Sequence, residues 1–192
     1  QNESMDLEPG LATEWNTIDP TTWEFKLRDD VTFHDGTEFN ADAVKANLDR
    51  SLAEETISST AYLYDRFEEV EVVDPYTVRF HLSEPFASLP AHLAQYGGSM
   101  LSPDVIKEDN EAVANGADPG SIVAEKPIGT GPFKFESWSP GSEIKLVRNE
   151  DYWGGAPDIE GVTYKIVPEE LTRVADLETQ ASDIIDSINP NS

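Results

Sequence analysis

Alternation of apolar and polar positions marks the first strand. Trp23-Glu24-Phe25-Lys26-Leu27-Arg28 repeats with a period of two, which sends alternate side chains to one face of a half-buried strand. Asp29-Asp30 interrupts it, Val31-Thr32-Phe33 resumes it, and Asp35-Gly36 supplies a tight turn. Asn40 then suits a helix N-cap, and Asp42 in the first turn favours the helix dipole. Val44, Leu48 and Leu52 recur at four-residue spacing, so the pattern predicts a helix over 41–52 with one face inward. Residues 53–65 read as a loop or short helix carrying Tyr62 and Tyr64. Val70, Val72 and Val73 predict a strand, Asp74-Pro75 a turn, and Val78, Phe80 and Leu82 the returning strand. Pro85 suits the first turn of a helix with Phe86, Leu89, Leu93 and Tyr96 on one face, stopped by Gly97-Gly98. Pro103 opens another short helix, and residues 110–126, rich in Ala, Gly and Asp, read as a surface connection.

The remaining pattern is strand-rich. Gly129-Thr130-Gly131 makes a turn into a strand bearing Phe133 and Phe135. Ile144, Leu146 and Arg148 mark a second strand, and Val162, Tyr164 and Ile166 a third. Pro168-Glu169-Glu170 opens a helix with Leu171, Val174 and Leu177, and residues 183–186 read as a short strand. Strands and helices mix without strict βαβ alternation and without internal repeats, which predicts an α/β or α+β class with a mixed sheet and flanking helices.

Composition narrows the function. The 192 residues suffice for one domain or two small lobes, and no run approaches the roughly 20 apolar residues of a membrane span. Gln1 is followed by no basic and apolar leader pattern, which leaves a secreted parent open. With 38 acidic and 13 basic residues the net charge is −25, which argues against nucleic acid as a partner. The acids are spread among aromatics and Val rather than in blocks, as on an acidic halophilic surface where counterions screen self-repulsion. There is no cysteine, hence no disulfide, thiolate metal site or Cys nucleophile.

Candidate chemistry is sparse. His34-Asp35 could begin a triad, but no Gly-x-Ser-x-Gly elbow accompanies it, and Asp35 is already explained by its turn. His34, His81 and His92 lack the short spacing of metal ligands. Gly129-Thr130-Gly131 lacks the Lys-Ser/Thr of a phosphate loop, and Pro132 has no N–H to offer an anion. No cofactor, metal or enzymatic role is expected. Trp138, Tyr152 and Trp153 are expected to pack on the sheet, whereas Tyr62, Tyr64 and Tyr96 lie at polar or Gly-rich breaks, where aromatics line a ligand cleft or simply pack.

The order of motifs resembles a known family. Leu11-Ala12-Thr13-Glu14-Trp15, followed by Trp23-Glu24-Phe25-Lys26-Leu27-Arg28, resembles the opening of the family 5 solute-binding proteins, which serve ABC importers for dipeptides, oligopeptides and nickel complexes. The run Val31-Thr32-Phe33-His34-Asp35-Gly36, continued to Val44, resembles a second signature, with Ala43 where the family often has Asp. Pro127-Ile128-Gly129-Thr130-Gly131-Pro132-Phe133 and Arg148-Asn149-Glu150-Asp151-Tyr152-Trp153-Gly154-Gly155 resemble two more. Residues 177–186 resemble a last one, with Ala181 or Ser182 near its Gly.

The resemblance implies a lobe like those of type II periplasmic binding proteins, with a mixed sheet, flanking helices and an inserted α+β subdomain. Residues 1–39 and 126–192 would form the sheet subdomain and 40–125 the additional one. An opening strand and the second lobe would lie outside the chain. It implies an extracytoplasmic receptor, lipid-anchored or periplasmic at the cell envelope, that hands peptides to ABC permease subunits. Nickel chelates and sugars are alternatives on the same scaffold, and a secreted acidic hydrolase is the rival of another class. Ligand-facing residues would be Thr60, Tyr62, Tyr64, Gln95, Tyr96, Gly97 and Gly98, with Tyr62 and Tyr96 as apolar walls and Gln95 as a polar contact.

Overall fold

The structure is a computed structural model that describes residues 6–53, 61–94 and 96–187. The chain opens with a hairpin of β1 (Ala12–Asp19) and β2 (Thr22–Leu27). Its turn is held by the Asp19 carboxylate, which accepts from the Thr21 N–H at 2.9 Å and from the Thr21 hydroxyl at 3.2 Å. Helix α1 (Ala41–Leu52) matches its predicted bounds, and the Asn40 side chain caps it by accepting from the Ala43 N–H at 3.0 Å. A 3-10 turn (Ala61–Tyr64) leads into β3 (Phe67–Asp74) and β4 (Thr77–Leu82).

These four strands make one antiparallel sheet in the order β1-β2-β4-β3. Phe25 faces Val78 across the β2–β4 ladder, and Trp23 faces Phe80. Helix α1 covers the inner face with Val44 and Leu48, both buried. At the centre Phe80 meets Phe25 edge-on at 5.3 Å and Phe67 at 5.6 Å. Edge-to-face pairs contribute about 0.5–1.5 kcal/mol each beyond the area they bury.

Helices α2 (Leu89–Leu93), α3 (Pro103–Ala114) and α4 (Ser121–Glu125) follow, with a 3-10 turn (Tyr96–Gly98) between the first two. Strands β5 (Phe133–Ser139), β6 (Glu143–Arg148) and β7 (Gly161–Lys165) form a second antiparallel sheet, and α5 (Glu170–Glu178) comes after it. No residue of β5, β6, β7 or α5 is buried, and Leu171 and Ile184 are largely exposed. No helix among the described residues is long and apolar enough to cross a membrane.

Several expectations change. Strand β1 went unread, because Trp15 and Ala12 are the only apolar residues that it packs on the core. The helix expected at Pro85 starts at Leu89. The Phe86 carbonyl there accepts from the Leu89 N–H and the Trp23 indole N–H, which holds residues 85–88 in a turn. Residues 110–126 contain the end of α3 and all of α4. Residues 183–186 form no strand. Trp138 is about half exposed, whereas Trp153 packs on the core with the Arg28 guanidinium 4.8 Å over its ring.

The expected division at residue 39 does not follow the sheets. Strand β2 pairs with β4, which joins the β1–β2 hairpin to the β3–β4 hairpin of the 40–125 segment, while β5, β6 and β7 make a sheet of their own. The Phe25–Phe80 contact explains the preference. Joining β2 to β4 buries both rings, whereas no residue of β5, β6 or β7 is fully buried.

Candidate functional site

The signature motifs converge on a structural hub. The Asp35-Gly36 turn closes with the Gly36 N–H on the Phe33 carbonyl, and Gly36 takes the left-handed φ of +88° that the turn requires. Asp35 accepts from the Thr37 N–H at 2.9 Å and from the Ser102 hydroxyl at 2.5 Å. Burial works against its charge, but these bonds outweigh it and hold the carboxyl below the usual carboxylate range. Ser102 in turn caps α3, accepting from the Asp104 N–H.

His34 completes the hub. Its backbone N–H donates to the Gly129 carbonyl at 2.9 Å, and its Nδ1 accepts from the Gly129 N–H at 3.4 Å. That leaves Nε2 as the protonated nitrogen, donating to the Gly131 carbonyl at 2.9 Å, where the Asn149 amide also donates. Both ring nitrogens and both carboxylate oxygens of the His34-Asp35 pair are thus engaged in holding turns. Among the described residues no group of three or more His, Asp or Glu side chains could hold a metal ion.

The two segments singled out for ligand contact lie side by side. Tyr64 donates its hydroxyl to the Gly97 carbonyl at 3.4 Å, and its ring rests against Phe67 at 5.8 Å. Tyr62 is 67% exposed. Gly98 is tightly held: a Cβ there would come within 2.1 Å of the Leu93 carbonyl oxygen. Gly97 and Gly98 belong to the 3-10 turn that Tyr96 opens. Thr60, Gln95 and the side chain of Tyr96 lie outside the described residues. Beneath Gly98 and Met100 opens an apolar cavity of about 190 Å³, lined also by Leu11, Trp15, Phe39 and Leu93.

Two residues that sequence reasoning missed position these segments, and a third ties α1, α3 and α4 together. Asn47 donates to the Leu101 carbonyl at 2.8 Å and accepts from the Leu101 N–H at 2.8 Å, which pins the stretch after Gly98 to α1. Asp109, 2% exposed, accepts from Arg50 on α1 and from the N–H groups of Gly120 and Ile122 at the start of α4. His92 places Nε2 2.7 Å from the Leu63 carbonyl. Only Asn47 had a sequence signal, as a polar residue on the face that carries Val44 and Leu48.

Known proteins are similar to this chain in sequence and in fold. The probable D,D-dipeptide-binding periplasmic protein DdpA of Escherichia coli K12 is 35% identical over 186 residues, covering 96% of this chain and 35% of its own. The oligopeptide-binding protein AppA of Bacillus subtilis, solved with a nonapeptide, superposes with a TM-score of 0.79 at 28% identity, covering 94% of this chain and 35% of that one. NikZ of Campylobacter jejuni, solved with Ni(L-His), gives 0.80 at 26% identity with the same coverage. The chain therefore spans about a third of the length of the relatives it matches, and it has the α/β fold of a type II periplasmic binding protein. A match to the family described as bacterial extracellular solute-binding proteins, family 5, runs over residues 6–192, and the chain belongs to that family.

Proposed function

We propose that the chain is part of the solute-binding receptor of an ABC importer and that the receptor delivers di- or oligopeptides. The observation that carries this reading is the bond from the Tyr64 hydroxyl to the Gly97 carbonyl, which brings the two proposed ligand-facing segments of a family 5 fold together, with Tyr62 exposed on one of them. DdpA and AppA, the one named for a dipeptide and the other solved with a nonapeptide, support the substrate class. Thr60, Tyr62, Tyr64, Gln95, Tyr96, Gly97 and Gly98 form the ligand-facing rim in this reading. An exposed tyrosine offers apolar area at low entropic cost, while Gly97, which is buried, and Gly98 leave room for His92 and the Leu93 carbonyl and so let the two segments pack closely. Ligand bound between this rim and a second lobe closes a hinge, and the closed form docks on the permease subunits. The receptor works outside the cytoplasm, at the cell envelope, either lipid-anchored or periplasmic. Its acidic surface suits a saline medium.

The test is calorimetric titration of the full-length receptor with a mixed pool of di- and oligopeptides in molar salt. Saturable heat is expected, weakened about fivefold in Tyr62→Ala, the equivalent of about 1 kcal/mol. The side chain is exposed, so the melting temperature should not move. A second reading, a nickel chelate, is favoured by the similarity to NikZ. Binding of nickel–histidine with no peptide heat would select it.

A further inference from the structure

One imidazole touches both rim segments. His92 stands near the end of α2, and its Nε2 lies 2.7 Å from the Leu63 carbonyl, so Nε2 carries the hydrogen and donates. The ring plane is set by two aromatic neighbours, Phe86 edge-on at 5.4 Å and Phe67 at 6.4 Å. The same ring bears on Gly97, where a Cβ would come within 3.2 Å of both Cδ2 and Nε2. Tyr64, the residue after Leu63, donates its hydroxyl to the Gly97 carbonyl at 3.4 Å. Leu63, His92, Gly97 and Tyr64 thus close a ring of contacts between the turn Ala61–Tyr64 and the turn Tyr96–Gly98.

We propose that His92 is a positioning residue for ligand binding. Its Nε2–H bond to Leu63 and its packing on Gly97 fix the spacing of the two rim segments, and so set the affinity of the rim for its ligand. A histidine that merely filled the core would contribute packing on Phe67 and Phe86 and leave the rim spacing to other contacts. Here the bonded partner is a backbone carbonyl of one segment and the packed partner is the backbone of the other, so the side chain measures the gap between them. The link to affinity rests on the proposed reading that these segments face the ligand.

The experiment compares wild type, His92→Ala and His92→Gln in the full-length receptor, with two readouts. Amide hydrogen exchange at residues 61–64 and 96–98 reports the latch without any ligand. Titration with a pool of di- to pentapeptides reports its consequence. His92→Ala should speed exchange at both segments and raise Kd about fivefold, the scale of one net hydrogen bond. Gln carries a side-chain N–H that reaches the same carbonyl, and it should restore much of both. Wild-type exchange rates at both segments in His92→Ala would overturn the proposal. So would a His92→Gln variant that matches His92→Ala in both readouts, since packing alone would then explain the residue. Faster exchange with unchanged peptide affinity would overturn the link to binding, and with it the placement of the ligand at this rim. A wild-type receptor that binds no peptide would count against the peptide reading alone, because exchange still decides the latch.

Discussion

Removing the Asp109 carboxylate should release α4 from α3 and α3 from α1. The side chain is 3% exposed and its partner Arg50 17%, so water screens the pair little. The carboxylate accepts three bonds, from Arg50 Nη2 at 3.1 Å, Gly120 N at 3.0 Å and Ile122 N at 3.1 Å. Breaking one partner of a buried ion pair costs about 3–5 kcal/mol. Gly120 and Ile122 are only half-buried and can recruit water once freed, so Asp109→Ala should fall at the low end, about 3 kcal/mol. In a chain of this size that lowers the melting temperature by about 6–12 °C. Asp109→Asn keeps one acceptor and loses the charge, so its loss should be about half as large.

The Lys126–Glu108 pair joins the same helices at 2.7 Å but is about half exposed on both sides. Lys126→Ala should cost under about 1 kcal/mol, and less in molar salt, where the screening length is about 3 Å. The Asp109 effect should persist there. Burial alone would raise the Asp109 pKa, but the Arg50 bond and the two N–H groups outweigh it and hold it below the ordinary 3.8. A depressed carboxylate contributes its stability above the ordinary value and loses it as pH falls through the folded-state value. The gap between wild type and Asp109→Asn should therefore narrow in acid. The assay is a circular dichroism melt in molar salt across that range. An Asp109→Ala protein melting within about 2 °C of wild type, or a gap indifferent to acid, would refute the reasoning.

Two further perturbations test the frame. Asn47→Ala strips partners from the Leu101 N–H and carbonyl and should cost about 2–4 kcal/mol in denaturant unfolding; a loss under about 0.5 kcal/mol would mean that water replaces the amide. The charge of −25 should make the chain lose structure in dilute buffer, so a melt identical in dilute buffer and molar salt would remove the halophilic reading.

Local elements were legible where one segment carries its own signal. Helix α1 had a capping side chain in Asn40 and apolar residues at helical spacing, and it formed over the predicted residues. Strands β2 and β4 had period-two alternation, and β3 its row of valines. The helix expected at Pro85 failed because proline fits a first turn without compelling one. Carbonyl 86 found a distant partner in the Trp23 indole instead. Of the two segments proposed to face the ligand, the aromatics and the Gly pair at loop breaks were visible in the sequence, but nothing in the order of residues put Tyr64 beside Gly97.

By itself the sequence determined the family, the identity of most elements and the net charge of −25. Each of these depends on residue type, on spacing along one segment or on the order of motifs. Only the tertiary structure decided which of the many acids is buried, which histidine lies between Leu63 and Gly97, and that β2 pairs with β4. Arg50 and Asp109 are 59 residues apart in sequence, and Leu63 and His92 are 29. Such contacts depend on which surfaces exclude water together once the chain has closed on itself. That is a property of the packed whole, and the local pattern around either partner does not encode it.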